Sequence, residues 1–160
     1  MSKIDVDAAL RELDAGTMPQ WIADHLRTYL ESGGSQGHMW DSTPAGGPGL
    51  LPTLILNTRG RRSGQMRPAP LIYGTAGDDY IVIASKGGAP EHPAWYTNLE
   101  ADSNVTLQVG ENSFDAVART AAGSERETLW KQMVALYPPY ADYQQKTTRE
   151  IPVVVISRAA

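Results

Sequence analysis

The amino-acid sequence predicts a protein of the α+β or mainly β class, a small barrel of about six mostly antiparallel strands with peripheral helices. Short apolar runs recur from residue 50 onward, and most are separated by glycine-containing turns rather than by helices. The strand–helix alternation and the Gly-x-Gly-x-x-Gly loop of a dinucleotide-binding fold are both missing. The length of 160 residues suits one ordinary domain.

The short apolar runs are the predicted strands. The run Leu50–Asn57 is nearly continuous, as expected for a strand that is buried on both faces. The other predicted strands are Met66–Gly74, Tyr80–Ser85, Val105–Val109, Phe114–Ala118 and Ile151–Ile156. Turns at Gly77 and Gly110 predict hairpins, and we expect the last strand to pair back into the barrel.

Helical spacing is clearest before residue 33, where a buried stripe predicts a helix that begins near Pro19 and stops at Gly33. The stripe comprises Trp21, Ile22, Leu26, Tyr29 and Leu30. Further helices are predicted at Pro93–Leu99, Ser124–Tyr137 and Pro139–Gln145.

The segment 33–49 is rich in glycine and proline, and its lack of periodicity predicts a long loop that forms a flap near a pocket. Met39 and Trp40 within it are large apolar residues, and we regard them as candidate substrate contacts. The chain therefore divides into an N-terminal helical segment, 1–35, and a single barrel domain, 36–160.

Composition excludes several classes of function. The net charge of -4 argues against general nucleic-acid binding, and the lack of cysteine excludes disulfides and thiolate chemistry. His25, His38 and His92 lack metal-ligand spacing, so no metal site is expected, and His25 is interpreted as a surface residue. No Gly-x-Ser-x-Gly elbow supports a serine hydrolase. Neither a membrane span nor a signal peptide is apparent, which favours a cytoplasmic protein.

A basic turn is the sharpest motif. Four of the 14 lysines and arginines fall within nine positions, and no acidic residue lies between Asp41 and Asp78. These four are Arg59, Arg61, Arg62 and Arg67. Gly60 and Gly64 permit positive φ, and arginines between two strands can bind phosphate or carboxylate groups. The alternative is a solvated basic loop.

A second motif follows the strand that ends near Ser85. Ser85 and Lys86 precede the flexible pair Gly87–Gly88, and a helix is predicted to begin at Pro93. Hydroxyl, ammonium and backbone N–H groups near a helix N-terminus favour an anionic or carbonyl-rich ligand. Trp95 either forms a flat wall for a ring system or packs in the core.

The third motif contains Tyr137, Tyr140 and Tyr143, three residues apart on one side of a short helix. Two interpretations stay open. The tyrosines either pack as part of an amphipathic helix, or they form an aromatic, hydroxyl-lined wall for a planar substrate.

At these motifs the sequence resembles the deazaflavin-dependent nitroreductase family, the A group of actinobacterial deazaflavin oxidoreductases. The resemblance covers about residues 36–157. The matching segments are Thr58–Gly64, Ala84–Pro90, His92–Leu99, Tyr137–Gln144 and Arg149–Val153. It implies a split β-barrel like that of FMN-binding proteins. It also implies reduced coenzyme F420 as cofactor, an 8-hydroxy-5-deazaflavin with a phosphate and an oligoglutamate tail.

The resemblance also implies roles for individual residues. The basic turn would hold the phosphate and tail through Arg59, Arg61, Arg62, Ser63, Gly64, Arg67 and Pro68. The deazaflavin ring would contact Ala84, Ser85, Lys86, Gly87, Gly88, Ala89, Pro90, Trp95 and Asn98. Tyr137, Tyr140 and Tyr143 would border the acceptor, with Tyr140 as proton donor or hydrogen-bond clamp. Arg62 departs from the family pattern, in which lysine is frequent, so bidentate geometry would differ there.

The implied reaction is hydride transfer from reduced F420 to a quinone, an activated double bond such as an enone or lactone, or a nitro-aromatic acceptor. The alternatives are a non-catalytic cofactor or lipid carrier and an FMN-dependent oxidoreductase on the same barrel. The expected protein is a monomer or homodimer without nucleic-acid partners. It is cytoplasmic, or peripheral to the inner membrane.

Overall fold

The computed structural model describes residues 4–14 and 18–159. Its strands are β1 (Met39–Asp41), β2 (Leu50–Arg59), β3 (Met66–Ile72), β4 (Gly74–Ala76), β5 (Asp79–Ile83), β6 (Asn104–Val109), β7 (Asn112–Thr120) and β8 (Val153–Arg158). Its helices are α1 (Val6–Asp14), α2 (Gln20–Glu31), α3 (Ala94–Ala101), α4 (Gly123–Leu136) and α5 (Pro139–Gln145).

The eight described strands form one curled antiparallel sheet in the order β1-β2-β6-β7-β8-β5-β4, and β3 pairs with β2. The curled sheet is a half-barrel, and the helices lie at its periphery. The predicted class, a small antiparallel barrel with peripheral helices, is therefore confirmed. The C-terminal strand pairs with both β5 and β7, which fixes the end of the chain in the sheet as expected.

Strand β2 shows why the apolar run folds as it does. Leu54 and Leu56 point into the main core inside the half-barrel, while Ile55 packs against the N-terminal helices on the other face. Alternate side chains of a strand point to opposite faces, so a strand covered on both sides needs apolar residues at every position. The second core cluster joins α4 and α5 to the sheet around Ile81, Met133 and Ile151.

Two strand assignments from the sequence are wrong in detail. The predicted strand Met66–Gly74 is divided, because the chain leaves β2 at Ile72 and pairs with β5 from Gly74 onward. Gly74 suits this corner, since a Cβ there would lie 2.7 Å from the sulfur of Met133 on α4. The predicted loop 33–49 also contains a strand, in which Trp40 pairs with Leu51. The sheet therefore has eight strands rather than about six.

Helix α2 is fastened to the sheet by Tyr29. Its buried hydroxyl donates to the carbonyl oxygen of Thr53, at 2.9 Å, and accepts from the amide of Gly110, at 2.7 Å. Trp21 was expected in the buried stripe of this helix, but 59% of its surface is exposed, so that assignment is wrong. A separate N-terminal segment 1–35 stays a prediction.

Within residues 4–14 and 18–159, no helix is both long and apolar enough to span a bilayer.

Candidate functional site

A cavity of about 440 Å³ opens between α2, β3, α5 and the segment that follows β5. Its volume lies in the range of small-molecule sites. The residues that line it are Trp21, Ile22, His25, Trp40, Ala45, Thr53, Pro70, Leu71, Ile72, Ile83, Ser85, Lys86, Gly87, Pro93, Trp95, Tyr137, Tyr140 and Tyr143. Two of the three predicted motifs therefore meet at one cavity.

One wall of the cavity is a backbone nest. Ser85 is right-handed, with φ -80° and ψ -39°, and Lys86 follows with φ +46° and Gly87 with φ +62°. Such a change of hand turns consecutive N–H groups to the same side, which creates a concave site for anions or carbonyl oxygens. Among the described residues, the amides of Lys86 and Gly87 have no backbone hydrogen-bond partner. The nest is thus open to a ligand.

The segment that carries this nest is held from behind. The guanidinium of Arg149 donates to the carbonyl oxygens of Ser85, Ala89 and Ala84, at 2.7, 2.9 and 3.2 Å, and to Nδ1 of His92, at 3.0 Å. His92 therefore accepts at Nδ1 and carries its ring proton on Nε2. The carbonyl groups of this segment are turned toward Arg149.

Gly88 closes the same segment against α5. A Cβ at Gly88 would lie 2.6 Å from the carbonyl oxygen of Tyr143, and its φ is +86°. Both the space and the conformation therefore require glycine at this position. Gly88 itself packs against Tyr143 rather than lining the cavity.

Lys86 is exposed and forms an ion pair with Glu91, with 2.8 Å between Nζ and Oε1. The hydrogen bond and the positive charge of Lys86 hold the pKa of the Glu91 carboxyl below its usual value. A charged ligand at the nest would therefore compete with Glu91 for Lys86.

The three tyrosines form the second wall. Tyr137 and Tyr140 meet edge to face, with 4.8 Å between ring centroids, and the hydroxyls of Tyr137 and Tyr143 are 3.1 Å apart. Burial raises the pKa of Tyr137, with a contribution from the hydrogen bond to Tyr143. Burial likewise raises the pKa of Tyr140, and the neighbouring tyrosines add to the shift. These hydroxyls stay neutral near pH 7, so they serve as hydrogen-bonding groups rather than as anions.

The opposite wall is an aromatic stack. Trp40 stacks with both Trp21 and His25, with centroid separations of 5.9 and 6.3 Å and interplanar angles of 20° and 15°. Nε2 of His25 donates to the carbonyl oxygen of Gly37, at 2.8 Å. The sequence assigned His25 to the surface, and this is wrong, because the loop after α2 folds back over its ring.

Met39 lies elsewhere. Side chains alternate along β1, so Met39 points away from Trp40 and is 48% exposed. It does not line the cavity with Trp40.

Helix α3 connects the cavity to the basic turn. Trp95 is buried in the main core, which confirms that interpretation, and it also lines the cavity, so its role as a wall for a ring system stays a prediction. Asn98 follows one turn later, about 4.5 Å along the helix axis. Its side-chain oxygen accepts from the amide and the guanidinium of Arg61, at 3.2 and 3.1 Å, and its amide donates to Thr58, at 3.1 Å. Asn98 therefore anchors the turn to α3.

The arginines of the turn do not share one face. Arg59 lies near Asp102, with 3.6 Å between Nε and Oδ2, whereas Arg61 folds toward α3. Arg67 donates to the hydroxyl of Ser63, at 3.4 Å, and Arg62 is exposed. The turn is thus a cationic surface beside the cavity rather than part of its lining.

The predicted site residues separate into two groups. Those that line the cavity are Trp40, Ser85, Lys86, Gly87, Trp95, Tyr137, Tyr140 and Tyr143. Those outside its lining are Met39, Arg59, Arg61, Arg62, Ser63, Gly64, Arg67, Pro68, Ala84, Gly88, Ala89, Pro90 and Asn98. The sequence interpretation assigned no role to Thr53, Pro70, Leu71, Ile72 or Ile83, which also line it.

A metal ion in a protein is held by a particular arrangement of several side chains. No group of three or more histidine or carboxylate side chains within residues 4–14 and 18–159 is arranged to hold an ion.

A half-barrel with a flat aromatic cavity, an open nest and an adjacent cationic turn defines a class of protein that binds a planar, anionic ring cofactor. A family model described as F420H(2)-dependent quinone reductase matches residues 21–158. The chain belongs to this family, and it is an oxidoreductase that uses coenzyme F420.

Two relatives come from Mycobacterium tuberculosis. The F420H(2)-dependent quinone reductase Rv1261c is 39% identical over 142 residues, which cover 87% of this chain and 91% of the relative. The putative F420H(2)-dependent quinone reductase Rv3178 is 38% identical over 106 residues, which cover 66% of this chain and 89% of the relative.

Solved structures agree with the fold. An F420-H2 dependent reductase, FDR-A, superposes with a TM-score of 0.61 at 43% identity, covering 66% of this chain and 93% of that chain. A chain described as a domain-swapped dimer gives a TM-score of 0.65 at 38% identity, covering 86% and 98%. The Vibrio cholerae heme protein HutZ, at 18% identity and a TM-score of 0.51, shares the fold alone.

Proposed function

We propose that the chain reduces a quinone with F420H2, and that the 440 Å³ cavity holds the deazaflavin ring and the quinone face to face. The observation that carries this proposal is the pairing of an open nest with two aromatic walls around one cavity. A planar ring between aromatic walls gains stacking and apolar burial, while the nest fixes its orientation.

The residues present fit the cofactor. A deazaflavin presents carbonyl oxygens at the rim of a flat ring, and the amides of Lys86 and Gly87 can donate to such oxygens. Pro93 and Trp95 supply apolar surface to one side of the ring. The residues that we propose to hold the ring are therefore Ser85, Lys86, Gly87 and Trp95.

The phosphate and the oligoglutamate tail fit the basic turn. Because α3 runs from the cavity at Trp95 to the turn at Asn98, a chain attached to the ring can follow this helix outward. Arg61 is oriented by Asn98, and Arg62 is exposed, so both guanidiniums are accessible to an anion. We assign them to the binding of the tail and not to the chemistry.

When bound, the reduced cofactor supplies a hydride to the acceptor. The protein's own part is to position the hydride donor and the acceptor and to exclude water. Tyr140 and Tyr137 would donate hydrogen bonds to the quinone oxygens, and their raised pKa values favour this role over proton donation. Solvent would then supply the proton.

The aromatic stack would bind the acceptor. Trp40, Trp21 and His25 all line the cavity and offer flat aromatic surface to a quinone ring. Enones, lactones and nitro-aromatic compounds share this planar shape, so they stay candidate acceptors beside the quinones. A monomer or homodimer, and a cytoplasmic or peripheral location, likewise stay predictions.

The decisive experiment measures binding of F420, FMN and NADPH side by side, followed by oxidation of F420H2 with a quinone, an enone and a nitro-aromatic compound. We expect selective F420 binding and turnover with the quinone. Binding of FMN without F420, or F420 binding without turnover of any acceptor, would contradict the proposal and favour an FMN enzyme or a carrier.

Tyr140→Phe tests the acceptor site. We expect a lower kcat/KM for the quinone with cofactor affinity unchanged. Tyr96→Phe is the matched control, because Tyr96 bonds Thr120 and does not line the cavity. If Tyr140→Phe leaves every acceptor unaffected, the hydrogen-bonding role is wrong.

A further inference from the structure

Arg149 combines an unusual set of contacts. Its guanidinium is half-buried and donates to three backbone carbonyl groups that lie between Ala84 and Ala89, and to one ring nitrogen of His92. None of these four acceptors is a carboxylate group. The side chain therefore binds the backbone of one short segment rather than pairing with an opposite charge.

The bound segment needs such support. Lys86 is the one non-glycine residue in the described part of the chain with positive φ, and Gly87 and Gly88 continue in the same left-handed region. A side chain in this region costs of order 1 kcal/mol or more, so the conformation persists only where its surroundings enforce it. Arg149 contacts the carbonyl groups on both sides of the three residues.

We propose that Arg149 is a positioning residue that sets the nest at Ser85–Gly87 and thereby the affinity for the cofactor. The inference rests on the proposed function of this segment as the ring-binding site. By holding the carbonyl oxygen of Ser85, Arg149 turns the amide of Lys86, which belongs to the same peptide group, to the opposite side, and its bond to the Ala89 carbonyl fixes the far end of the segment. It acts through the backbone and does not line the cavity.

The planar guanidinium is essential to this role. Its donors leave the fork in fixed directions and can reach several carbonyl groups at once, whereas a lysine ammonium is one compact charge on a flexible chain. Arg149→Lys therefore keeps the charge and loses the geometry. His92 accepts a single bond, so His92→Leu should have a smaller effect than either change at Arg149.

The test compares Arg149→Met and Arg149→Lys with Arg126→Met. Arg126 is the matched control because its guanidinium is also buried and donates to one carbonyl, that of Ile151, but has no contact with residues 84–92. Dissociation constants for F420, melting temperatures and amide hydrogen exchange are measured for the folded proteins.

We expect both Arg149 variants to bind F420 at least about tenfold more weakly, with a higher KM for the reduced cofactor and a smaller change in kcat. Exchange should accelerate at the hydrogen-bonded amides of Gly88 and Ala89 and stay unchanged in β7 and β8. Arg126→Met should lower the melting temperature but keep F420 affinity within about threefold.

Unchanged F420 affinity in Arg149→Met, or an equal loss in Arg126→Met, would overturn the inference. Should the wild-type protein not bind F420, the proposed function fails instead. The exchange rates then still decide whether Arg149 holds the segment, since unaltered exchange at Gly88 and Ala89 refutes that role independently of any ligand.

Discussion

The side-chain oxygen of Asn98 accepts two hydrogen bonds from Arg61, one from its amide at 3.2 Å and one from its guanidinium at 3.1 Å. The side-chain amide of Asn98 also donates to the hydroxyl of Thr58. Asn98 is buried on α3, while Arg61 is exposed in the turn after β2. One buried amide thus fixes a flexible cationic turn relative to the helix that borders the cavity.

Replacing this amide should separate stability from binding. Asn98→Ala leaves the buried Thr58 hydroxyl and the Arg61 amide without their partner, which should lower the free energy of unfolding by about 1–3 kcal/mol. Asn98→Asp keeps an acceptor for Arg61 but adds negative charge beside the proposed phosphate site. Asn98→Asp should therefore lose less stability than Asn98→Ala. Its affinity for F420 should nevertheless fall, because the added negative charge repels the phosphate. Urea unfolding and F420 titration measure the two effects.

Removal of the exposed cations should affect binding alone. The double variant Arg61→Ala/Arg62→Ala should bind F420 at least about tenfold more weakly, with kcat at saturating cofactor nearly unchanged. Its affinity should also depend less on salt, because fewer charges are screened. Arg119→Ala, which removes an exposed arginine paired with Glu125, is the control. A large fall in kcat with affinity intact would show that the arginines act in the chemistry.

The ion pair at the nest predicts a gain of affinity. Glu91 holds Lys86 at 2.8 Å and carries a negative charge close to the proposed cofactor. Glu91→Gln frees Lys86, so F420 should bind more tightly by a few-fold, whereas stability should scarcely change because exposed ion pairs contribute little. Glu111→Gln, on the distant hairpin, is the matched control. Weaker binding of F420 by Glu91→Gln would refute a role of Lys86 as a cofactor contact.

Tyr29 should make stability sensitive to alkaline pH. Burial raises its pKa to about 12, although the amide of Gly110 opposes the shift. The folded protein therefore holds the Tyr29 proton more tightly than the unfolded chain does. The resulting stabilisation is fully present below the ordinary tyrosine pKa of about 10 and is lost as the pH rises toward 12. The loss should be about 1–2 kcal/mol after allowance for solvent screening.

Tyr29→Phe should remove the share of this pH dependence that comes from Tyr29, while the buried Tyr137 and Tyr140 keep theirs. It should also lower stability at pH 7 by about 1–3 kcal/mol, since the Gly110 amide loses its acceptor. Unfolding free energies of both proteins between pH 8 and pH 11, about the titration range of an ordinary tyrosine, test the assignment. An equal alkaline decline in Tyr29→Phe would assign the effect to another group.

The raised pKa values of the cavity tyrosines predict that kcat/KM for the quinone stays constant as the pH rises toward 10. Their raised pKa values keep the hydroxyls of Tyr137 and Tyr140 protonated beyond the ordinary tyrosine value of about 10. The kcat/KM for the quinone should therefore not fall through tyrosine ionisation below that pH. An alkaline limb near pH 9 that disappears in Tyr140→Phe would show that burial does not protect this hydroxyl.

Local patterns in the sequence predict much of the fold. Continuous or alternating apolar runs account for β2, β5 and β6, and helical spacing accounts for α2 and α4. The split of β3 from β4 was not foreseeable, because the corner depends on how closely α4 approaches Gly74. Strand β1 was missed because three residues carry too little periodicity to stand out from a glycine-rich segment.

The candidate site was predictable only in part. The motifs around Ser85 and Tyr140 are recognisable from residue type, and the structure brings them to one cavity. His25 was assigned to the surface because helical spacing does not reveal that a later loop covers it. Arg149 belongs to a matching segment, yet nothing in the sequence pairs it with backbone carbonyl groups 60 to 64 residues earlier.

By itself the sequence determined the class of fold and the cationic turn, since these follow from local pattern, and its motifs resemble those of the family to which the chain belongs. Only the tertiary structure decided which groups meet: Trp40 stacks with Trp21 and His25, Asn98 anchors Arg61, and Arg149 binds the segment after β5. The physical reason is that hydrogen bonds and ring contacts act over a few ångströms in space. The residues that make these contacts lie up to 64 positions apart in the sequence, and local periodicity carries no information about such distant pairs.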